Sequence, residues 1–146
     1  MTKAVRIALI ISLILVGILL IIFWPIRGAM KVDINGTQIS VMVADTEEAH
    51  KQGLSGYERI RDDQGMLFLF DQPYKYMFWM KDMKFPLDII FIRDGRIVDM
   101  ASDLPAPKEG ESPATFTPNE MADRVLEVNA GTAKRLGWSL GTEVKF

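Results

Sequence analysis

Residues Ile7–Ile26 (IALIISLILVGILLIIFWPI) form an uncharged run in which Ser12 is the one polar side chain. A stretch this long and apolar cannot lie on the surface of a water-exposed domain. As a helix rising about 1.5 Å per residue it reaches about 30 Å, the hydrocarbon thickness of a bilayer, and satisfies its own backbone groups there. A cleavable signal peptide fits less well. The apolar core exceeds the usual length of about 7–15 residues, and cleavage after Ala29 would put Arg27 where a small residue is needed. The reading is an uncleaved membrane anchor over residues 1–29, followed by a separate domain over residues 30–146. Lys3 and Arg6 on one side face Arg27 and Lys31 on the other, so the positive-inside bias is slight. The expected arrangement is a single-pass cell-membrane protein with its amino terminus inside and its domain on the extracytoplasmic side, periplasmic or outer.

Residues 30–146 suffice for one domain with a real core and are too few for two. Every Asp and Glu of the chain lies in this segment, where acids outnumber bases. Such a surface has little to offer a nucleic acid or an anionic bilayer. The absence of cysteine removes disulfides, thiolate zinc sites, lipid attachment through cysteine and a cysteine nucleophile together.

Turn chemistry organises the segment. Lys31–Ala44 alternates apolar and polar residues around Asn35-Gly36, a pair suited to the positive φ angles of a tight hairpin. Asp45-Thr46-Glu47-Glu48 reads as a helix start, with a capping oxygen followed by acids at the positive end of the helix dipole, and the helix should end near Gly53 or Gly56. Gly65–Phe70 and Tyr76–Lys81 read as central strands joined by a hairpin loop over Asp71–Lys75. Leu87–Ile92 and Arg96–Met100 flank Asp94-Gly95, a third hairpin. Residues Ala101–Met121, with four prolines, read as a long irregular loop, and a loop of that length is usually functional or disordered. Arg124–Val128, Gly131–Leu136 and Glu143–Phe146 read as strand, short helix and strand. The expected fold class is α+β, mainly β: a compact barrel-like or sandwich domain with short helices.

The densest chemistry lies in Phe78–Asp88 (FWMKDMKFPLD). Strand alternation makes both faces of its first half apolar, which by itself means core. Asp88 departs from that pattern, because it shares a face with Ile90 and Ile92 and a carboxylate there needs partners. Those would be backbone amides, a structural tie, or Lys81, Lys84 or an arginine across the sheet. An acid lining a pocket is the functional alternative. With Trp79, the group Met80, Lys81, Asp82, Pro86 and Asp88 would form an apolar wall with a few orienting polar groups, the usual make-up of a small-ligand site. Met66, Met77, Met80 and Met83 with the single His50 hint at cuprous copper. Methionine fills cores more often than it binds metal, the spacing matches no ligand set, and His50 falls on the exposed face of its helix, so neither a metal nor another cofactor is expected. No phosphate loop, nucleophile elbow or zinc motif is present, and a serine–histidine couple would need His50 as base with no flanking signature.

Gly65-Met66-Leu67-Phe68, Phe78-Trp79-Met80-Lys81 and Pro86-Leu87-Asp88-Ile89-Ile90-Phe91 resemble the family catalogued as domain of unknown function 192. Ala44-Asp45-Thr46-Glu47-Glu48 with Gly53-Leu54 resembles its opening elements. Leu126-Glu127-Val128 with Ala130-Gly131-Thr132-Ala133 resembles its closing one. The resemblance covers nearly all of residues 30–146 and implies a compact β-rich domain, typically secreted or membrane-anchored in prokaryotes; it implies no activity. Two departures stand out. Gly53-Leu54-Ser55 replaces a common Gly-Leu-Met, and Met80-Lys81-Asp82-Met83 replaces Met-Lys-Asn-Thr, putting a carboxylate where an amide is usual.

The leading functional expectation is a tethered binding or accessory module whose pocket is roofed by residues 101–121. The second is an envelope enzyme with Asp88 as general acid or base and Lys81 stabilising negative charge. The third is a protein-interaction domain for another membrane protein; the anchor, with Gly17 alone in its interior, lacks a small-xxx-small helix-pairing pattern. The expected partners are the membrane, through residues 7–26, and a small molecule or a protein.

Overall fold

A computed structural model describes residues 30–146, and the anchor expected over residues 1–29 lies outside the described residues. Strand β1 (Met30–Ile34) turns at Asn35 and Gly36, whose φ angles of 53° and 80° are those of the expected tight hairpin, and returns as β2 (Thr37–Ala44). The Asp33 carboxylate accepts the Gly36 N–H at 2.9 Å and holds the turn. Helix α1 (Glu47–Gln52) starts as its sequence requires, with the Thr46 hydroxyl accepting the Ala49 N–H at 3.2 Å, and stops at Gly53, whose φ is 50°. The third hairpin is also as expected: β5 (Leu87–Arg93) and β6 (Arg96–Leu104) are joined by Asp94 and Gly95, at φ 51° and 67°. Strand β8 (Ala122–Asn129), helix α2 (Thr132–Arg135) and strand β9 (Val144–Lys145) complete the chain.

The middle hairpin does not form. Strand β3 runs from Gln64 to Tyr74, through the expected loop, and both its edges are taken, by β2 in parallel and by β8 antiparallel. The chain then folds back on an aromatic corner: Phe70 and Tyr76 stack at 3.7 Å, and the Tyr76 hydroxyl donates to the Gln72 carbonyl at 2.8 Å. The expected strand over Tyr76–Lys81 is reduced to β4 (Phe78–Trp79). It pairs with β7 (Thr115–Phe116) in a separate two-stranded sheet that covers the outer face of the main one. The segment resembles a central strand because Phe78 and Met80 are buried as a cover, and burial selects the same residue types. Likewise the expected loop 101–121 is shorter than its composition suggests, since β6 extends to Leu104 and β7 lies within it.

The main sheet has seven strands in the order β6-β5-β8-β3-β2-β1-β9. It curls into a half-barrel until its ends meet, with the Ile97 N–H donating to the Thr142 carbonyl at 3.0 Å and the Val144 N–H to Gly95 at 2.8 Å. Strand alternation divides the apolar residues into two cores. Ile34, Val41, Leu67, Ile90, Ile92, Leu126 and Val144 fill the inside of the curl. Met66, Phe68, Ile89, Phe91 and Val125 form the outer core, beneath Leu54, Phe78 and Met80. β3 and β8 approach so closely that a Cβ on Gly65 would lie 2.5 Å from the Glu127 carbonyl oxygen, which accounts for the glycine. Among the described residues, every strand of the main sheet finds its partners and both cores are closed.

Asp88 has the partners its position demanded. It is fully buried and its carboxylate accepts three backbone N–H groups: Asp103 at 3.0 Å, Gly131 at 3.1 Å and Ala133 at 2.9 Å. It thereby ties the start of β5 to the end of β6 and to the first turn of α2. Asp88→Ala would orphan one buried and two part-buried donors, and at about 1–3 kcal/mol for a donor that water cannot reach the loss is a large share of a domain stability of about 5–15 kcal/mol. Urea denaturation of residues 30–146 is expected to show the alanine variant largely unfolded. Asp88→Asn, which keeps one acceptor oxygen, should fall between it and the wild type.

Candidate ligand-binding site

Trp79 stands at the edge of a cleft built where α1 and the end of β3 meet β4. β4 is held in place from two sides. β7 pairs with it and the Ala114 carbonyl accepts the Met80 N–H at 2.9 Å, while the Ser55 hydroxyl donates to the Lys81 carbonyl at 2.7 Å and the Gly56 N–H to the Asp82 carbonyl at 3.2 Å. Ser55, one of the two departures, thus contributes a tie that methionine could not. Asp82, the other, takes a left-handed φ of 56°, a conformation that asparagine and aspartate both favour. Backbone conformation therefore explains the amide-to-acid exchange.

The aromatic half of the cleft encloses about 320 Å³ between His50, Phe68, Phe70, Tyr76, Phe78 and Trp79. Several of its rings pack against one another. Phe78 meets Phe68 edge-on at 5.0 Å, and the His50 ring lies 4.5 Å from Phe70. His50 was expected on the exposed face of its helix, but it is half-buried, and its Nε2 lies 3.0 Å from the Ala44 carbonyl, which can only accept. The reason is that α1 packs across the outer end of β3, which turns this face of so short a helix toward Phe68 and Phe70.

A second half, of about 450 Å³, shares His50, Phe70 and Tyr76 with the first and is rimmed by Asp45, Glu47 and Asp71. The local field is negative. The Tyr76 hydroxyl is pushed up from its ordinary pKa by burial and then by the charges of Asp71 and Asp123.

Beneath the aromatic half lies a slot of about 20 Å³ between Gly53, Leu54, Phe78 and Trp79, with Glu127 among its walls. Glu127 points out of β8 into the outer core and is 5 % exposed, and its Oε2 has no hydrogen-bond partner among the described residues. Burial pushes its carboxyl up to about 8, with the Leu54 amide acting weakly the other way. An acid in this state is neutral at pH 7 and can donate a proton or a hydrogen bond.

The family model of DUF192, described as "Uncharacterized ACR", matches residues 30–146. The chain belongs to the DUF192 family. It is similar to a solved structure from Sinorhizobium meliloti 1021 described as a "putative transcription regulator", at 33% identity and a TM-score of 0.71 over 79% of this chain and 91% of that one. It is also similar to a protein of unknown function from Novosphingobium aromaticivorans DSM 12444, at 32% identity and a TM-score of 0.71 over 84% and 89% of the two chains. No curated protein matches.

In this DUF192 domain the residues read as one site are dispersed. Trp79, 46% exposed, lines the cleft, and the Lys81 ammonium lies over its ring at 5.2 Å. Met80 is fully buried in the outer core, Asp82 and Pro86 are exposed away from the cleft walls, and the Pro86 carbonyl accepts the Ala130 N–H at 3.2 Å. Asp88 is on the opposite face of the sheet, inside the curl and closed to solvent, so it neither joins Trp79 nor can exchange protons with a substrate. The stretch around residues 114–116 braces β4 from behind and does not roof the cleft. Of the methionines, Met66, Met80 and Met83 are core and Met77 is exposed.

Glu127 and the pair Phe70 and Tyr76 were missed as site residues. The signal for Glu127 was present: a carboxylate inside Arg124–Val128, a run whose two faces are both apolar, is the same anomaly that singled out Asp88.

The raised carboxyl has a consequence for stability. Between the ordinary value of 4.5 and about 8, the unfolded chain releases the Glu127 proton while the folded chain retains it. Stability should therefore be highest below that window and fall as pH rises through it, by at most about 1.4 kcal/mol per pH unit, and level off above. Chemical denaturation at a series of pH values is expected to show this decline in the wild type and a much flatter profile in Glu127→Gln.

Proposed function

We propose that this DUF192 domain is a small-ligand-binding module of the cell envelope, held at the outer side of the membrane by the apolar segment 7–26. The observation that carries the reading is an aromatic cleft with a buried carboxyl beneath it, one oxygen of which has no partner among the described residues. Its volume falls in the range of small-molecule sites, and apolar walls with few polar groups are what such sites use. An acidic balance on residues 30–146 gives no counterpart to a phosphate backbone, so the description of the Sinorhizobium meliloti protein is not extended to this chain. An enzyme acting through Asp88 has no support, because that carboxylate is buried and fully engaged.

Trp79 is exposed enough to be replaced without opening a core. The uncharged fluorescent probe N-phenyl-1-naphthylamine should bind residues 30–146 saturably at one site. Trp79→Ala should weaken it about tenfold, a loss of about 1.4 kcal/mol, with an unchanged melting temperature. Absence of saturable binding to the wild type would remove the module reading. For the tether, the full chain should sediment with membranes, and protease added outside spheroplasts should digest residues 30–146; protection of that segment would reverse the orientation.

A further inference from the structure

The walls of the cleft also say what charge its ligand carries. Its open rim presents Asp45, Glu47 and Asp71, and Glu127 is among the walls of the slot beneath its aromatic half, with an Oε2 that is closed to solvent and unpartnered among the described residues. The cations nearby are already engaged: Lys51 Nζ is held by Glu47 at 2.6 Å and Lys81 Nζ by the Trp79 ring at 5.2 Å. The second contact is informative in its own right, since it shows the face of Trp79 attracting an ammonium group. An anionic ligand would meet Asp45 and Asp71 at the rim, beside a Glu47–Lys51 pair whose charges cancel.

The slot sets the size of the charged group. At about 20 Å³ it admits one water-sized group, which a primary ammonium is and a trimethylammonium is not. Gly53 keeps it open, because a Cβ at that position would sit 3.7 Å from Glu127 Oε2 and press on the Phe68 ring at 3.3 Å.

We propose that the ligand is a primary amine with an apolar or aromatic body. The body lies against Phe70, Tyr76 and Trp79, and the ammonium enters the slot to hydrogen-bond Glu127. This rests on the binding-module reading and specifies its ligand class. Ammonium and carboxyl are complementary in a dry site, where a charge-assisted hydrogen bond is stronger than one between neutral groups. The acids at the rim favour the approach of a cation over the approach of a neutral or anionic analogue.

The test is a matched series titrated calorimetrically into residues 30–146: 2-phenylethylamine, its N,N,N-trimethyl derivative, 2-phenylethanol and 3-phenylpropanoate. The expected result is that the primary amine binds about tenfold or more tighter than each of the others. Glu127→Gln should erase that preference while leaving the affinity for 2-phenylethanol within about twofold, and Asp71→Asn should weaken the amine alone. Equal binding of the alcohol and the amine overturns the ammonium assignment and leaves the binding module standing, whereas an amine preference that survives Glu127→Gln overturns the place given to the ammonium. If none of the four compounds binds, and the uncharged naphthylamine probe fails as well, both readings fall. The wild-type series decides the charge question by itself should Glu127→Gln not fold.

Discussion

The Asp88 carboxylate is the point on which the architecture turns. Three segments that are distant in the chain converge on it: the first residues of β5, the end of β6 and the amino-terminal turn of α2. Burying a charge inside an apolar curl is costly, and only a full set of donors makes it tolerable. Here the donors are backbone amides that would themselves be orphaned without it: Gly131 and Ala133 lie in the first turn of α2, whose amides have no acceptor within the helix, and Asp103 sits at a left-handed φ of 54° where the β6 strand ends. Carboxylate and amides are thus mutually obligatory. Their meeting places α2, which delivers Ala133 to the inner core beside Trp138 and Val144.

With the inner core closed, the outer face of the same sheet is left to carry the cleft. β3 and β8 are its floor, and they meet at Gly65, where a Cβ would lie 2.5 Å from the Glu127 carbonyl oxygen. That proximity sets Glu127 beside Phe68 and under the turn that follows α1. Over this floor lies a cover made from short pieces, α1 on one side and β4 with β7 on the other, joined by the bonds from Ser55 and Gly56 to Lys81 and Asp82. The cover meets imperfectly, and the gap between its pieces is the cleft. A site of this kind combines a rigid floor with walls fixed by few contacts, which suits binding a small molecule without large rearrangement.

Two buried carboxyl groups on adjacent strands illustrate how environment separates roles. Asp88 is satisfied three times over and has the character of a structural strut. Glu127 lacks a partner on one oxygen and is driven toward its neutral form by burial. Both interrupt apolar runs in the sequence in the same way, so sequence reasoning could flag both and yet could not tell them apart. What distinguishes them is the supply of donors, and donors are brought by chain segments far away: Ala133 is 45 residues from the carboxylate it serves.

The features legible in the sequence are those decided by atoms within a few residues. Asn35-Gly36 and Asp94-Gly95 make their turns because left-handed backbone is cheap for those residues, and Thr46 caps α1 because its hydroxyl reaches an amide three residues on. The β-rich class and the DUF192 membership were readable for the same reason, or from motifs along the chain. Strand neighbours were not. Gly65–Phe70 and Tyr76–Lys81 have the composition of paired central strands, but whether two such segments pair depends on what else competes for their edges, and β2 and β8 won both edges of β3. The closing of the sheet, the burial of His50 against Phe70 and the isolation of Glu127 follow from that pairing. Local chemistry sets turns, caps and strand character; which faces meet, and therefore which side chains share a cleft, is settled only when the whole sheet has found its order.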